Sequence, residues 1–464
     1  MSQQIESAPT SKMELIKWLI TILVPAVIYL IPVNEVFTAQ VRLFLVYTLF
    51  VILLMAFEFF DTMFTAMLIP LGYIMLGLAP AATVYSGWAG GIPAMIIGGL
   101  LLSNVLEETG LLKRIAYWCI LKTGGSFKGI LFGIFFAGII LSFMTAAGAP
   151  LIMAALCYGV CKALDLGVSK ESSAVMMVGA FSSVSITTFI YYPAMVGLLE
   201  AGAKSVDPSL SITYFSFLVR NFPYIFLLLL FVLLLAIFYK PSHPINGKTY
   251  FETELKRMGK VNKNEIKVGV LTLIIIILLM TASLHHIPGT MVFAILPWLL
   301  YVPGMKVGSP QAIRNINYGL AFFIVACLSI GSVSGHLGLG AILADIVVPM
   351  LQPLSSTAVL AAVWVIGVLL NFLLTPFAIA AAFAAPIAQI ATALNINVEG
   401  AMYVLYNSMD TVFLPYEYAG YLIFYGFGVL QVKDFVKIMS VKALLSFIFI
   451  LIVMIPFWRL VGVL

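Results

Sequence analysis

Residues 15–33, 41–60, 62–78, 214–239, 268–284 and 442–457 form long apolar runs. Each approaches or exceeds the roughly 20 residues that an α-helix needs to cross a bilayer at about 1.5 Å per residue. No other feature constrains the fold as strongly. Backbone groups in hydrocarbon must find their hydrogen bonds inside the segment, so such runs become helices. Composition agrees: 62% of residues are hydrophobic and 9% are charged, against roughly 25% charged in soluble domains. The chain therefore reads as an all-α polytopic membrane protein, embedded in a lipid bilayer.

Residues 1–11 are polar and lead into a long apolar run without a small-residue cleavage site. The run is expected to be the first transmembrane helix, not a cleaved signal. Cys119, Cys157, Cys161 and Cys327 lie in apolar segments and form no CxxC pair. They read as packing residues, so neither a metal nor a cofactor is expected. The net charge of +5 does not point to a nucleic-acid partner.

The distribution of Lys and Arg predicts topology, because basic loops stay in the cytoplasm. Basic residues cluster at 113–128 (with Lys162 and Lys170), 240–267, 306–314 and 433–442. One layout satisfies the rule: N-terminus inside, six spans, the 240–267 loop inside, then five spans. It leaves only Arg42, Lys204, Arg220 and Arg459 of the 24 basic residues elsewhere. The expectation is an inner-membrane protein with a cytoplasmic N-terminus and an extracytoplasmic C-terminus.

The 240–267 linker separates two halves that share a design. Each half meets a segment too broken for a plain helix: 127–166, interrupted at 145–150, and 354–396, interrupted at 371–376. Arms of about 15–20 residues can dip into the membrane and return. At an offset of 230 the two segments share Thr145/Thr375, Ala154/Ala384, Ala155/Ala385, Ala163/Ala393, Leu164/Leu394 and Val168/Val398. A second interrupted span follows each hairpin. The first holds Ser182, Ser183, Ser185, Thr187, Thr188, Tyr191, Tyr192 and Pro193. The second holds Asn407, Ser408, Asp410, Thr411, Pro415, Tyr416, Glu417 and Tyr418. Paired broken helices in inverted repeats point to a transporter site: half-helix N-termini suit an anion, and unwound carbonyls suit a cation. The fold expected is about 11 transmembrane helices plus two re-entrant hairpins in two inverted repeats.

Three stretches carry a family resemblance. They are Phe57-Glu58-Phe59-Phe60-Asp61 with Thr65-Ala66-Met67-Leu68-Ile69-Pro70 and Leu76-Gly77; Thr109-Gly110-Leu111-Leu112-Lys113-Arg114-Ile115-Ala116; and Leu414-Pro415-Tyr416 through Tyr425-Gly426-Phe427-Gly428 with Lys433-Asp434-Phe435. Together they resemble the divalent anion:sodium symporter (DASS) family. The resemblance implies sodium-coupled symport of a small organic anion by an elevator-type mechanism, in a homodimer. It implies scaffold spans at 1–126 and 206–353, transport-domain halves at 127–205 and 354–431, and a C-terminal scaffold span at 432–464. The family's Ser-Asn-Thr hairpin tips read Thr145-Ala146-Ala147 and Thr375-Pro376-Phe377 here, and its Thr-Pro-Pro turns read Tyr192-Pro193-Ala194 and Tyr418-Ala419-Gly420.

The substrate-binding set expected is therefore Thr145, Ala146, Ala147, Thr188, Tyr192, Pro193, Thr375, Pro376, Phe377, Tyr416 and Tyr418. The coupling-ion set is Ser183, Ser185, Thr187, Asp410, Thr411 and Glu417, with Na+ or H+ as the coupling ion. Intramembrane carboxyls are costly, about 2.5–3.5 kcal/mol at the helix centre. Glu417 and Asp410 thus offer an alternative, a proton-coupled symporter or solute exchanger; the bland alternative is that one of them caps a helix. Intramembrane Ser and Thr often bond only their own helix. An enzyme is disfavoured by the lack of HExxH or G-x-S-x-G patterns, and a channel by the inverted repeat.

Overall fold

The computed structural model describes residues 12–464 apart from 36, 58, 146–148, 242–244, 246 and 373. Glu58, Ala146 and Ala147, singled out above, lie outside the described residues. After α1 (Lys12–Tyr29) the first half runs through α2 (Ala39–Ala56), α3 (Thr62–Met75), α4 (Gly91–Thr109) and α5 (Leu111–Lys122). The hairpin arms α6 (Phe127–Met144) and α7 (Ala149–Ala163) follow, then the half-helices α8 (Lys170–Ser183) and α9 (Pro193–Ala203). This half ends with α10 (Tyr214–Asn221) and α11 (Tyr224–Phe238). The linker forms α12 (Lys248–Arg257).

The second half repeats the order as α13 (Lys263–Met280), α14 (Gly289–Ile295), α15 (Tyr318–His336) and α16 (Leu339–Leu351). Its hairpin arms are α17 (Ser356–Asn371) and α18 (Pro376–Ala393), its half-helices α19 (Val398–Met409) and α20 (Ala419–Gly426). It closes with α21 (Val432–Phe449) and α22 (Ile455–Leu460), joined by a π-helical turn at Ile450–Met454.

Local chemistry repeats with the order. Ser126 and Ser355 accept N-cap bonds from Gly129 N and Ala358 N at the start of the two hairpins. Asp165 and Asn395, 230 apart, close the second arms with φ of 50° and 55°; Asp and Asn tolerate this left-handed conformation better than most residues. Ser169 and Asn397 then cap the broken helices. A Cβ at Gly138 would lie 2.0 Å from Ser182 Oγ, and one at Gly367 would lie 1.9 Å from Ser408 Oγ. Only glycine allows each first arm to approach its broken helix so closely.

Packing repeats with exchanged partners, as a two-fold relation requires. α3 packs on α15 while their counterparts α14 and α4 pack together. α9 packs on α18 while α20 packs on α7, so each hairpin holds the far half of the other repeat's broken helix. The repeats differ at α5, which packs on α6, whereas its counterpart α16 packs on α18.

Among the described residues, six helical spans are long and apolar enough to cross a membrane, or seven if α10 and α11, bent by 56°, count as one. Other apolar helices of 10–17 residues include Ala149–Ala163 and Ser356–Asn371. The breaks that make hairpins and half-helices are what shorten them.

Two polar clusters mark opposite ends. At one, Arg114 binds Glu265 at 2.6 Å and the carbonyls of Met258 and Gly259. There too, Lys267 Nζ donates to the Gly304 and Met305 carbonyls, and Ser309 Oγ to Glu108. The 240–267 linker, the α4–α5 corner and the 300–314 loop thus meet. At the other end, Arg220 pairs with Glu399, Trp458 Nε1 donates to the Arg220 carbonyl at 2.8 Å, and Arg459 donates to Ser356 and Thr357.

These last bonds cross the division expected from sequence, which groups residues 206–239 and 432–464 with scaffold spans. α10 bonds α19, α22 bonds α17, and α11 packs against α6 and α8. Lys442 of α21, counted among cytoplasmic loop cations, is 2% exposed and paired with Asp410. A charge rule counts cations and cannot see a buried partner.

Candidate functional site

A cavity of about 230 Å³ lies where the two repeats meet. The starts of four helices reach it. Ala149, Pro150, Leu151 and Ile152 come from α7, Phe377 from α18, Tyr192 from the cap of α9, and Tyr418, Ala419 and Gly420 from α20. Tyr192 and Tyr418 make no side-chain cap bond to α9 and α20, which leaves the first N–H groups of those helices without a side-chain acceptor. The two breaks are in close contact, since a Cβ on Gly420 would lie 3.0 Å from the Val184 side chain.

Hydroxyls and amides complete the wall: Ser103 and Asn104 from α4, Ser142 and Thr145 from the first hairpin, Ser183 and Thr187 from the first break, and Asn315 and Asn317 before α15. Among the described lining residues there is no Lys, Arg or His, and Glu107, exposed beside Asn104, is the one charged group. Positive potential here can come only from helix N-termini, each worth roughly half an elementary charge. Asn104 and the exposed Glu107 place one side of the cavity at the C-terminal part of α4.

The first break is uncharged. After Ser183 the chain turns through 3-10 geometry at Ser185–Thr188 and runs extended into Pro193. Ser183 Oγ donates to the Gly179 carbonyl, Thr187 Oγ1 to Val184 and Thr188 Oγ1 to Ser185, so each hydroxyl bonds its own turn. Ser142 of the first arm donates to the Ser182 carbonyl at 3.1 Å.

The second break repeats that contact with stronger donors. Asn371 takes the place of Ser142, and its Nδ2 reaches the carbonyls of Ser408 (3.0 Å), Met409 (3.4 Å) and Thr411 (3.0 Å). The Asp410 carbonyl accepts from Lys442 Nζ at 2.6 Å, and the same ammonium lies 2.8 Å from Asp410 Oδ2. Asp410 Oδ1 accepts from Tyr421, whose hydroxyl also meets Ser185 at 2.7 Å. A chain of polar contacts therefore runs Lys442–Asp410–Tyr421–Ser185 and joins the breaks. Glu417 accepts from Phe413 N at 3.1 Å and Leu414 N at 2.9 Å. Both its oxygens hold the turn of the unwound segment.

The expected substrate set divides. Thr145, Tyr192, Phe377 and Tyr418 line the cavity, with Tyr192 and Phe377 edge to face at 6.1 Å. Thr188 is buried against its own turn, and Pro193 begins α9. Thr375 and Pro376 begin α18, where Thr375 caps the helix. Thr375 and the half-exposed Tyr416 line a different cavity, of about 170 Å³, together with Asn371 and Glu417. In the expected ion set, Ser183 and Thr187 reach the main cavity, while Ser185 and Asp410 belong to the buried chain. Thr411 Oγ1 bonds the Asn407 carbonyl. Sequence reasoning missed Lys442, Asn104, Asn315, Asn317 and Ser142. A lysine inside an apolar run that follows an intramembrane aspartate was a legible signal.

The family described as "Sodium:sulfate symporter transmembrane region" matches residues 12–464. Among solved structures the chain is similar to the YdaH transporter of Alcanivorax borkumensis, whose crystal structure is described as revealing an unusual topology. The TM-score is 0.54 at 16% identity, over 82% of this chain and 88% of that one. At that identity the likeness concerns the fold alone. No curated protein matches the chain.

Proposed function

We propose that this chain, which belongs to the sodium:sulfate symporter family and is a membrane transporter, not an enzyme, moves a small organic anion by secondary active transport. The carrying observation is the convergence of four helix starts on one cavity without a basic side chain. Such a site favours negative charge through backbone N–H groups and dipoles. Hydroxyls and amides add directional bonds suited to a carboxylate. Sulfate, the anion in the family's name, is the natural comparison.

Coupling to sodium is the reading the family favours. The uncharged first break, with Ser183 and Thr187 at the cavity, is our candidate for the mobile cation. The proton alternative rests on Glu417 and Asp410; Glu417 is committed to backbone N–H groups and Asp410 to Lys442.

The protein works in the inner membrane as an elevator, in our reading, with a homodimeric scaffold. The moving unit comprises residues 127–205 and 354–431 together with α10–α11 and α21–α22, because the buried Lys442–Asp410 pair and the more exposed Arg220–Glu399 and Arg459–Ser356 contacts join them. The end that carries the 240–267 linker faces the cytoplasm.

Counterflow into proteoliposomes with a panel of mono-, di- and tricarboxylates plus sulfate tests the substrate class. Exchange of at least one carboxylate, saturable and competed by its analogues, is expected. Exchange of neutral or cationic solutes alone would overturn the reading.

A further inference from the structure

Four successive carbonyls, those of Ser408, Met409, Asp410 and Thr411, all accept bonds from the protein's own donors at the second break. Three take the Asn371 amide, and the fourth takes the Lys442 ammonium. Unwound carbonyls beside a carboxylate are what a transporter offers to a coupling cation. Here the place is filled, and by a full positive charge on a tether.

The counterpart position in the first repeat sharpens the point. Ser182 corresponds to Ser408 through their matching contacts with Gly138 and Gly367. Val184 then stands where Asp410 stands. The first break has neither the acid nor the lysine, so the pair is an addition to one repeat and not a requirement of the fold. Two ionisable groups 2% and 5% exposed are expensive inside a membrane and mark function more often than packing.

We propose that Lys442 is a built-in cation that permanently occupies the second break, so that repeat binds no mobile coupling ion. Cation exchange with solution is then confined to the first break. The inference rests on the cation-coupled reading for its functional meaning, but its test reads ion binding and not transport. Removing the ammonium leaves Asp410 Oδ2 and the Asp410 carbonyl beside a small gap, with the Tyr421 hydroxyl on the other oxygen of the same carboxylate. That is an oxygen set suited to a hard monovalent cation.

The experiment is thermal unfolding of the purified full-length protein in NaCl and in choline chloride at equal ionic strength. The wild type sets the baseline sodium response. Lys442→Ser is expected to melt lower than wild type in choline chloride. A sodium response that rises with the logarithm of the sodium concentration, as binding to the native state requires, should recover at least about half of the loss. Lys442→Ser with Asp410→Asn should lose that added response. Three results would overturn the proposal. Lys442→Ser could show no sodium response beyond wild type. It could fail to fold in both salts, meaning that a free cation cannot replace the tether. The double variant could keep the response, placing the ion elsewhere. Failure of the wild type to transport any anion would leave this test standing.

Discussion

The Lys442 ammonium lies 2.8 Å from the Asp410 carboxylate and 2.6 Å from the Asp410 carbonyl, so one side chain of α21 holds both the charge and the backbone of the second break. Breaking a buried pair from one side leaves an uncompensated ion, at a cost of about 3–5 kcal/mol. Asp410→Asn should therefore lower the melting temperature markedly. Asp410→Asn with Lys442→Met should be less destabilised than the sum of its parts, since neither charge is left alone. Additive losses in a double-mutant cycle would show that the two groups do not interact.

Gly138 and Gly367 make equivalent contacts in the two repeats. A methyl group at either would drive into a serine of the broken helix. Overpacking of this kind costs about 1–3 kcal/mol. Gly138→Ala and Gly367→Ala should each reduce thermal stability by comparable amounts. A loss at one position alone would mean that the repeats pack differently there.

Much of this design was legible in sequence because breaks are written in residues with strong backbone preferences. Pro150, Pro193 and Pro376 stand in the first turns of helices that resume after an interruption, and Pro415 opens the 3-10 turn within the second break. Asp165 and Asn395, which share the left-handed conformation, follow the Ala163/Ala393 and Leu164/Leu394 pairs of the offset alignment. The partners were not legible. Ser142 and Asn371 do the same work with different side chains, so no identity links them. Lys442 lies 32 residues from Asp410, and Arg220 lies 179 residues from Glu399. Such distances carry no period. Thr375 and Tyr416 line a separate cavity, and of the second hairpin's described residues Phe377 reaches the main one.

Glu417 distinguishes shaping from proton carriage. Its two oxygens accept from Phe413 N and Leu414 N. An amide keeps one good acceptor and loses the other, at about 1–3 kcal/mol for a buried orphan donor. Glu417→Gln should reduce the uptake rate without altering its pH profile. Loss of the pH dependence would identify Glu417 as a proton carrier.

The proposed moving unit makes a prediction about cross-links, tested after Cys119, Cys157, Cys161 and Cys327 are replaced. Cysteines at Ser356 and Arg459 join α17 to α22, which we take to travel together. Cysteines at Gly331 and Ala381 join α15 to α18, where a Cβ on Gly331 would lie 3.4 Å from the Ala381 carbonyl. Cross-linking the first pair should leave uptake intact, and cross-linking the second should abolish it. The reverse pattern would put α21–α22 in the scaffold.

The most direct test of the account is uptake of a radiolabelled carboxylate into proteoliposomes under an imposed sodium gradient, an imposed proton gradient, or neither. The account predicts saturable accumulation above equilibrium with the sodium gradient and none from the proton gradient alone. Accumulation driven only by protons, or flux that merely equilibrates under every condition, would contradict it.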